Sequence, residues 1–455
     1  MTPPYAVRCH TRDANDTRVS LYYMEAEELT VLKSPSTVTI RMDNAHSSTR
    51  FCFVADDLTG AMDTGVGLSL AGLTTIITFS SSSNMTSNAV VVTTDSRAER
   101  ATEAYRRVKT VGERFRDYHI YKKIDSTLRG NVAAELQALL DVTRATHAIV
   151  CPAFPAIKRT VVNGELLVDG VPVSSTNFAR DPVSPVTKSS IVDLLRSGSG
   201  IPSETIGLSD VEQGPTHLAS RIRQCTSRAV VVDATEDRHL KTIAESLVEA
   251  GKRWLPCGSG GLGAQIPLAF GYSSRGHSLP DPTPGNALFA VGSRNDVSVR
   301  QLKLLMEQMQ PALVAVEPKE FRTRVGREPR MNQIAGEVTR LLRHRQTVVL
   351  SSSLAEFVSQ YRRLMAPILG TIVNRVLDAT PVHGLFLSGG DVARAVCGDD
   401  SIQALRILGD LQPGVIVGEV VGQNHTGLRV VTKAGGFGNE DAMVQAARYL
   451  TGEKR

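Results

Sequence analysis

Phe51-Cys52-Phe53-Val54-Ala55-Asp56-Asp57-Leu58-Thr59-Gly60-Ala61-Met62-Asp63-Thr64-Gly65 is the stretch on which the fold turns. Five apolar residues without alternation predict a strand buried on both faces. Two adjacent carboxylates end that strand where a helical pattern begins, running through Gly72. Outward from it the rhythm repeats. Thr74–Phe79 and Ala89–Thr93 are β-branched, apolar runs, Ala98–Phe115 is helix-patterned and His119–Lys122 is a short strand. A helix is predicted from about Asn131, a strand at Ala148–Cys151, and a further strand and helix at Ala229–Asp233 and Arg238–Ala250. Strands alternating with helices argue for a parallel sheet covered on both faces.

At Tyr272–Asn286 the composition shifts to YSSRGHSLPDPTPGN, in which Pro280, Pro282 and Pro284 alternate and no helix can continue. Beyond it the strands Ala287–Val291, Leu313–Val316, Thr347–Ser351, Gly384–Leu387, Val415–Val421 and Leu428–Thr432 resume the pattern. Val297–Met309, Met331–His344 and the long stretch Ser353–Ala379 read as helices between them. The expected fold class is α/β: two domains, each a mostly parallel sheet flanked by helices, with an interdomain cleft. They are residues 51–279 and 287–455, joined by a proline-rich linker at 280–286. Residues 1–50 are rich in Ser, Thr and isolated charges and lack periodicity, so a loosely ordered extension is expected there, and Met42 would serve as a start for a chain lacking it.

Bulk properties bound the function. In 455 residues, 42% hydrophobic and 21% charged, there is material for sizeable cores, which excludes a disordered or collagenous chain. No window approaches 18 uninterrupted apolar residues, so no membrane span is expected. The 51 basic residues face 46 acidic ones without a basic block, and a single Trp leaves little for base stacking, which argues against nucleic acid. Six cysteines without a C-x-x-C pair give neither a disulfide framework nor a zinc site, and ten scattered histidines show no H-E-x-x-H, so no metal site is read. With no secretory signal visible, a cytoplasmic home is expected.

Ligands of open α/β sheets bind beyond the carboxyl ends of the strands. Five places there carry chemistry. At Asp56-Asp57 one carboxylate, with Asp56 the candidate, would cap the helix and leave the other facing the cleft, to accept a hydroxyl proton or hold Mg²⁺. Thr94-Asp95-Ser96-Arg97 offers a guanidinium fork. Lys122 to Asn131 (KKIDSTLRGN) packs both signs of charge, two hydroxyls and a glycine into ten residues. Gly258, Gly260 and Gly263 satisfy G-x-G-x-x-G, but no βαβ unit with a closing acid follows, so a glycine turn facing the cleft fits better than a dinucleotide site. Lastly, Gly292-Ser293-Arg294-Asn295, Ser388-Gly389-Gly390-Asp391 and Lys433 to Gly438 (KAGGFG) each follow a strand and open a helix, a supply of backbone N–H groups suited to phosphate. There is no P-loop and no H-R-D/D-F-G pair.

Together VADDLTGAMDTG, TTDSR, KKIDSTLRGN, CPAFPAIKRTVVNGELLVDGVPV with FARDPVSPV, and then VGSRND, LSGGDVARA and TKAGGFGNED resemble the four-carbon acid sugar kinase family, over about Phe51 to Leu450. The resemblance implies an ATP-dependent kinase acting on threonate, erythronate or a 3-oxo-tetronate at the 4-hydroxyl, with Mg²⁺ beside the nucleotide. It further implies an amino-terminal sugar-acid domain and a carboxy-terminal nucleotide domain. Asp57, Arg97, Lys123, Ile124, Asp125 and Ser126 fall at substrate positions, to which the reading of the residues themselves adds Asp56 and Arg129; Ser293, Gly389, Gly390, Asp391, Val392 and Gly435 fall at ATP positions. Val392 stands where the family usually has Thr, and Arg294-Asn295 replaces a commoner small pair. On this reading Arg97 and Arg129 clamp the carboxylate, Lys123 and Asp125 bind hydroxyls, and Asp57 takes the proton, with Asp391 the rival base. Closure about Pro280–Pro284 would exclude water. Two other classes stay open, a non-catalytic sugar-acid sensor and an NAD-dependent dehydrogenase, and so does a homodimer.

Overall fold

In a computed structural model the described residues are 8–9, 30–34, 37–41, 49–79, 87–251, 254–273, 279–281, 284–344, 347–354, 362–398 and 402–453. Residues 1–49 and 50–455 form two units. In the first, the described backbone is a three-stranded antiparallel sheet in the order Arg8–Cys9, Thr37–Arg41, Thr30–Ser34. The remainder of the expected extension, Met42 included, lies outside the described residues, as do Pro282 of the proline segment and residues 355–361 of the long helical stretch, which is helical over Arg362–Ala379.

The second unit carries one 15-stranded mixed sheet. Its first set of parallel strands runs in the order Ser203–Ile206, Ala229–Val232, His147–Cys151, Trp254–Gly258, His119–Lys123, Phe51–Ala55, Ala89–Thr93, Thr75–Thr78. Ala404–Gln412 and Val415–Val421 follow, and then the second parallel set, Arg429–Lys433, Gly384–Ser388, Ala287–Val291, Thr347–Ser351, Ala312–Ala315. Phe51–Ala55 is buried at every position because it sits inside the first set, as its unbroken apolar run requires.

The two sheets expected from the sequence are therefore one. The joint is Ala404–Gln412, which pairs antiparallel with Thr75–Thr78 (Ala404↔Thr78, Leu405↔Ile77, Arg406↔Ile76) and on its other side with Val415–Val421. Its strand signal is weak because two register shifts, between Ile407 and Gly409 and between Asp410 and Gln412, interrupt the alternation. Three antiparallel pairings separate the two parallel sets, so the sets run in opposite senses. The turns at the carboxyl ends of the two sets nonetheless meet, Arg394 after Gly384–Ser388 reaching Asp95 after Ala89–Thr93 at 2.6 Å. The core follows the sheet: one apolar cluster includes Phe53, Leu68, Ile77, Leu288, Leu385 and Leu405, and a second, around Phe289, Phe386 and Met443, covers the other face of the second set.

Cys52, Cys151, Cys225, Cys257 and Cys397 are buried free thiols, and burial pushes Cys151, Cys257 and Cys397 up to about 12, so they serve as packing rather than nucleophiles. No described helix is long and apolar enough to cross a membrane.

Candidate active site

Register builds the first half of the site. Ala55 pairs with Thr93 on one side and Lys123 on the other, so three strands end level and the loops after them converge. The loop after Ala89–Thr93 is latched down by Thr94 N–H to Ala55 O (2.9 Å) and Ser96 N–H to Asp56 O (2.9 Å). Asp57, not Asp56, caps the helix Leu58–Leu70: its Oδ1 accepts from Gly60 N–H at 3.0 Å. A Cβ on Gly60 would stand 2.7 Å from Asp57 Oδ1 and 2.8 Å from Lys123 Nζ, so only glycine lets the carboxylate and the ammonium close over the helix end.

Asp56, 2% exposed, is instead spent on Arg97, which donates Nε to Oδ2 at 2.7 Å and Nη2 to Oδ1 at 3.1 Å. The same guanidinium reaches Asp57 Oδ2 (2.8 Å) and Asp125 Oδ2 (3.4 Å). Arg97 is thus the hub of three carboxylates, and its protonated form is strongly favoured: burial opposes the charge, but Asp56, Asp57 and Asp125 outweigh it. Asp125 also accepts from Thr127 N–H (2.9 Å), Thr127 Oγ1 and Arg129 (Nη2 at 2.9 Å). Burial pushes its pKa up, yet Arg97 and Arg129 win and hold it below the usual carboxylate range. Asp57 goes the other way. Its burial, reinforced by Asp56 and Asp125, raises its pKa against Arg97 and Lys123. Two neighbouring aspartates are thereby driven apart in proton affinity.

Arg129 stacks over Phe178 (5.5 Å to the ring centroid), and its Nη1 lies 3.5 Å from Asp181. Lys123, 5% exposed, donates to Ile124 O at 3.1 Å; Ile124 is buried and Ser126 half-buried in the following turn. Beneath this layer lies an ion pair that the sequence reading did not single out, Lys122 Nζ to Glu135 Oε2 at 2.9 Å. Lys122 also donates to Val54 O and Lys123 O, and Ser96 Oγ donates to Glu135 Oε1, so the pair ties all three loops to one buried point. Asp181 was missed as well, although it stands in the FARDPVSPV run.

Register builds the second half in the same way. Val291 pairs with Ser388, and Ser388 with Lys433, so the turns after these strands lie together. Gly389 has φ +104°, open to glycine alone, and Ser293 lies between it and Gly435: a Cβ on Gly389 would be 3.5 Å from Ser293 N, and one on Gly435 would collide with Ser293 Oγ. Val392 is 3% exposed and packs against Gly292, so its side chain belongs to the core and only its backbone can face a ligand. Asp391, in the first turn of the helix Gly390–Cys397, is 84% exposed.

The halves meet at these turns. A Cβ on Gly390 would stand 3.2 Å from Thr59 Oγ1, within the Asp57-capped turn, and Arg394 Nη1 reaches Asp95 Oδ2 at 2.6 Å. A cavity of ≈ 600 Å³ is lined by Leu58, Thr94 and Asp95 from one side and Asp391 and Arg394 from the other. The glycines of 258–263 are buried in packing: Gly258 against Cys151 O, Gly261 against Leu240 and Phe154, Gly263 against Tyr121 and Phe53. Only Gly260 looks toward the site, with Asp63 Oδ2 2.8 Å from its would-be Cβ, so the motif serves helix–sheet contact rather than a pyrophosphate.

Comparison with known proteins agrees with this division. Residues 51–266 match the sugar-binding N-terminal domain family and residues 288–443 the nucleotide-binding C-terminal domain family. The D-threonate kinase of Salmonella typhimurium is 30% identical over 418 residues, covering 87% of this chain and 97% of that protein. The D-erythronate kinase of Heliobacterium modesticaldum is 30% identical over 429 residues, covering 87% and 96%. A crystal structure from Haemophilus influenzae shares the fold with a TM-score of 0.72 at 21% identity, covering 87% of this chain and 98% of that one. With both halves matched in order and nearly the whole length of its relatives spanned, the chain belongs to the four-carbon acid sugar kinase family.

Proposed function

We propose that the chain transfers the terminal phosphoryl group of ATP to the 4-hydroxyl of a tetronate: threonate, erythronate or 3-oxo-tetronate. The observation that carries this reading is the approach of Thr59 to Gly390, which sets the acidic cluster of one half against the glycine turns of the other. Phosphoryl transfer asks a protein mainly for positioning and charge stabilisation, and these two surfaces divide that work.

Because Arg97 spends its donors on Asp56, Asp57 and Asp125, its role is to hold hydroxyl acceptors in place rather than to grip the substrate carboxylate. That grip falls to Arg129, whose Nη1 has only a 3.5 Å contact with Asp181. Lys123 and Asp125 take the hydroxyls, with Ile124 and Ser126 shaping the turn. Asp57 receives the proton of the attacking 4-hydroxyl as its oxygen bonds to the γ-phosphorus and the bond to ADP breaks; a raised pKa suits it to that proton. In the other half Ser293, Gly389, Gly390, Gly435 and the backbone of Val392 hold the phosphates.

Among the described residues no three His, Cys, Asp or Glu side chains lie close enough to hold a metal ion unaided, while Asp391, 84% exposed and 4.0 Å from Arg394 Nη2, extends its carboxylate beside the turns. This fits Mg²⁺ that arrives with the nucleotide and is touched by one protein carboxylate. Bound there, it would neutralise phosphate charge.

A coupled ADP-release assay over a panel of four-carbon acids tests the reading: turnover with at least one tetronate is expected, and near-complete loss in Asp57→Asn. Loss in Asp391→Asn with Asp57→Asn near normal would exchange the two roles. Acid binding without ADP release from any acid would favour the sensor.

A further inference from the structure

Lys433 ends the strand Arg429–Lys433 directly under the Gly435 turn and has no part in the chemistry above. Its side chain is 3% exposed. The ammonium donates to Ser298 Oγ at 3.0 Å and to Gly435 O at 3.1 Å; Ser298 Oγ in turn donates to Gly435 O (2.8 Å) and lies 3.1 Å from Ser388 Oγ. Every one of these partners is neutral. Of the two other buried lysines among the described residues, both at the end of His119–Lys123, Lys122 has Glu135 at 2.9 Å and Lys123 lies beside the Asp57 carboxylate.

The elements around Lys433 bring it no counter-ion among the described residues. The strand Gly384–Ser388 has no ionisable side chain. Val415–Val421 has Glu419, which stands opposite Arg429 at the far end of the pairing and contacts Arg429 and Arg406. The helix Asp296–Met309 meets Lys433 through Ser298, while its Asp296, Arg300, Lys303 and Glu307 are exposed. Past the turn, Glu440 is exposed, Asp441 receives Gln445, and Arg448 is exposed. Burial alone acts on Lys433 and lowers its pKa to about 8. An unpaired buried ammonium is far more costly than a paired one, and the turns converging above it are built from backbone amides that take phosphate.

We propose that Lys433 is the fixed counter-charge for the phosphates of the nucleotide, a positioning residue whose ion pair is completed only when that anion arrives. This rests on the reading of the second half as the ATP site. The sign follows from linkage. A bound anion raises the lysine's pKa, so its contribution to affinity is complete below the free value, about 8, and is lost as pH rises through the bound value. ADP gives a clean probe, since its phosphates, with a pKa of about 6, are already ionised there.

The experiment is calorimetric titration of the full chain with ADP at pH 8, in two buffers of different ionisation enthalpy. The wild type is expected to take up a fraction of a proton per ADP, the share of sites that burial leaves unprotonated beforehand. Lys433→Met is expected to bind at least tenfold more weakly with no uptake, and Lys433→Arg to bind well with no uptake, because arginine stays charged. ADP binding by the wild type without proton uptake overturns the proposal without recourse to any variant, and so does a folded Lys433→Met that matches wild-type affinity and uptake. A wild type that binds no ADP at any pH overturns the nucleotide reading itself, and the role of Lys433 with it.

Discussion

The two surfaces that meet between Thr59 and Gly390 are made of different materials. On the first, Asp56, Asp57 and Asp125 are bound to Arg97, and Asp125 again to Arg129, before any ligand enters. On the second, Ser293, Gly389 and Gly435 present hydroxyl and backbone, with the charge buried below at Lys433. The first surface is pre-organised by side chains, so its geometry fails if one of them is removed. The second is pre-organised by backbone, so it fails only if a turn is strained. Hydroxyl patterns on a small acid demand the former; a phosphate chain, which offers the same oxygens along its length, is served by the latter.

Substitutions can break that contrast. The largest effect is expected from Arg97→Met, which leaves the 2%-exposed Asp56 without its cation. It should lower kcat/KM by about a thousandfold or more and stability by about 3–5 kcal/mol, read by coupled assay and denaturant unfolding, while ADP affinity stays unchanged. Asp57→Asn should cost about 10²–10⁴ in kcat with little loss of stability. It also sharpens the pH argument. The base must be ionised, and burial raises Asp57, so the wild-type acid limb of kcat/KM should fall at higher pH than an ordinary aspartate gives, and vanish in the variant. On the backbone-built side, Gly389→Ala forces a Cβ onto φ +104° at about 1–3 kcal/mol, and should raise the KM for ATP roughly tenfold while leaving tetronate binding intact. Least is expected of Arg394→Ala. Its bridge to Asp95 is half-exposed, so less than about 1 kcal/mol and a change in kcat/KM under about threefold are expected, shrinking further in high salt.

The same contrast explains what could be read from the chain itself. Apolar runs such as Phe51–Ala55 and Gly384–Ser388 announce buried strands, and the strand-to-helix turns announce a ligand end, because both signals are local. Arg97 was legible as a fork, but its three partners come from positions 56, 57 and 125, and pairing across such separations is settled only by register. The choice of Asp57 over Asp56 as cap likewise depends on Arg97, which occupies both oxygens of Asp56 but only Oδ2 of Asp57, leaving Oδ1 for Gly60 N–H. Ala404–Gln412 escaped notice because its register shifts after Ile407 and after Asp410 break the period on which strand recognition depends. Lys433 reads as any lysine until its burial is seen.

That overlooked strand has a consequence for how such enzymes can be altered. A gene severed near residue 280 would yield fragments whose raw β-edges, Thr75–Thr78 on one and Ala404–Gln412 on the other, invite promiscuous self-association. Retargeting to a new acid is therefore a matter of exchanging loops at strand tips, and grafting whole lobes between relatives would have to carry matching seam sequences along.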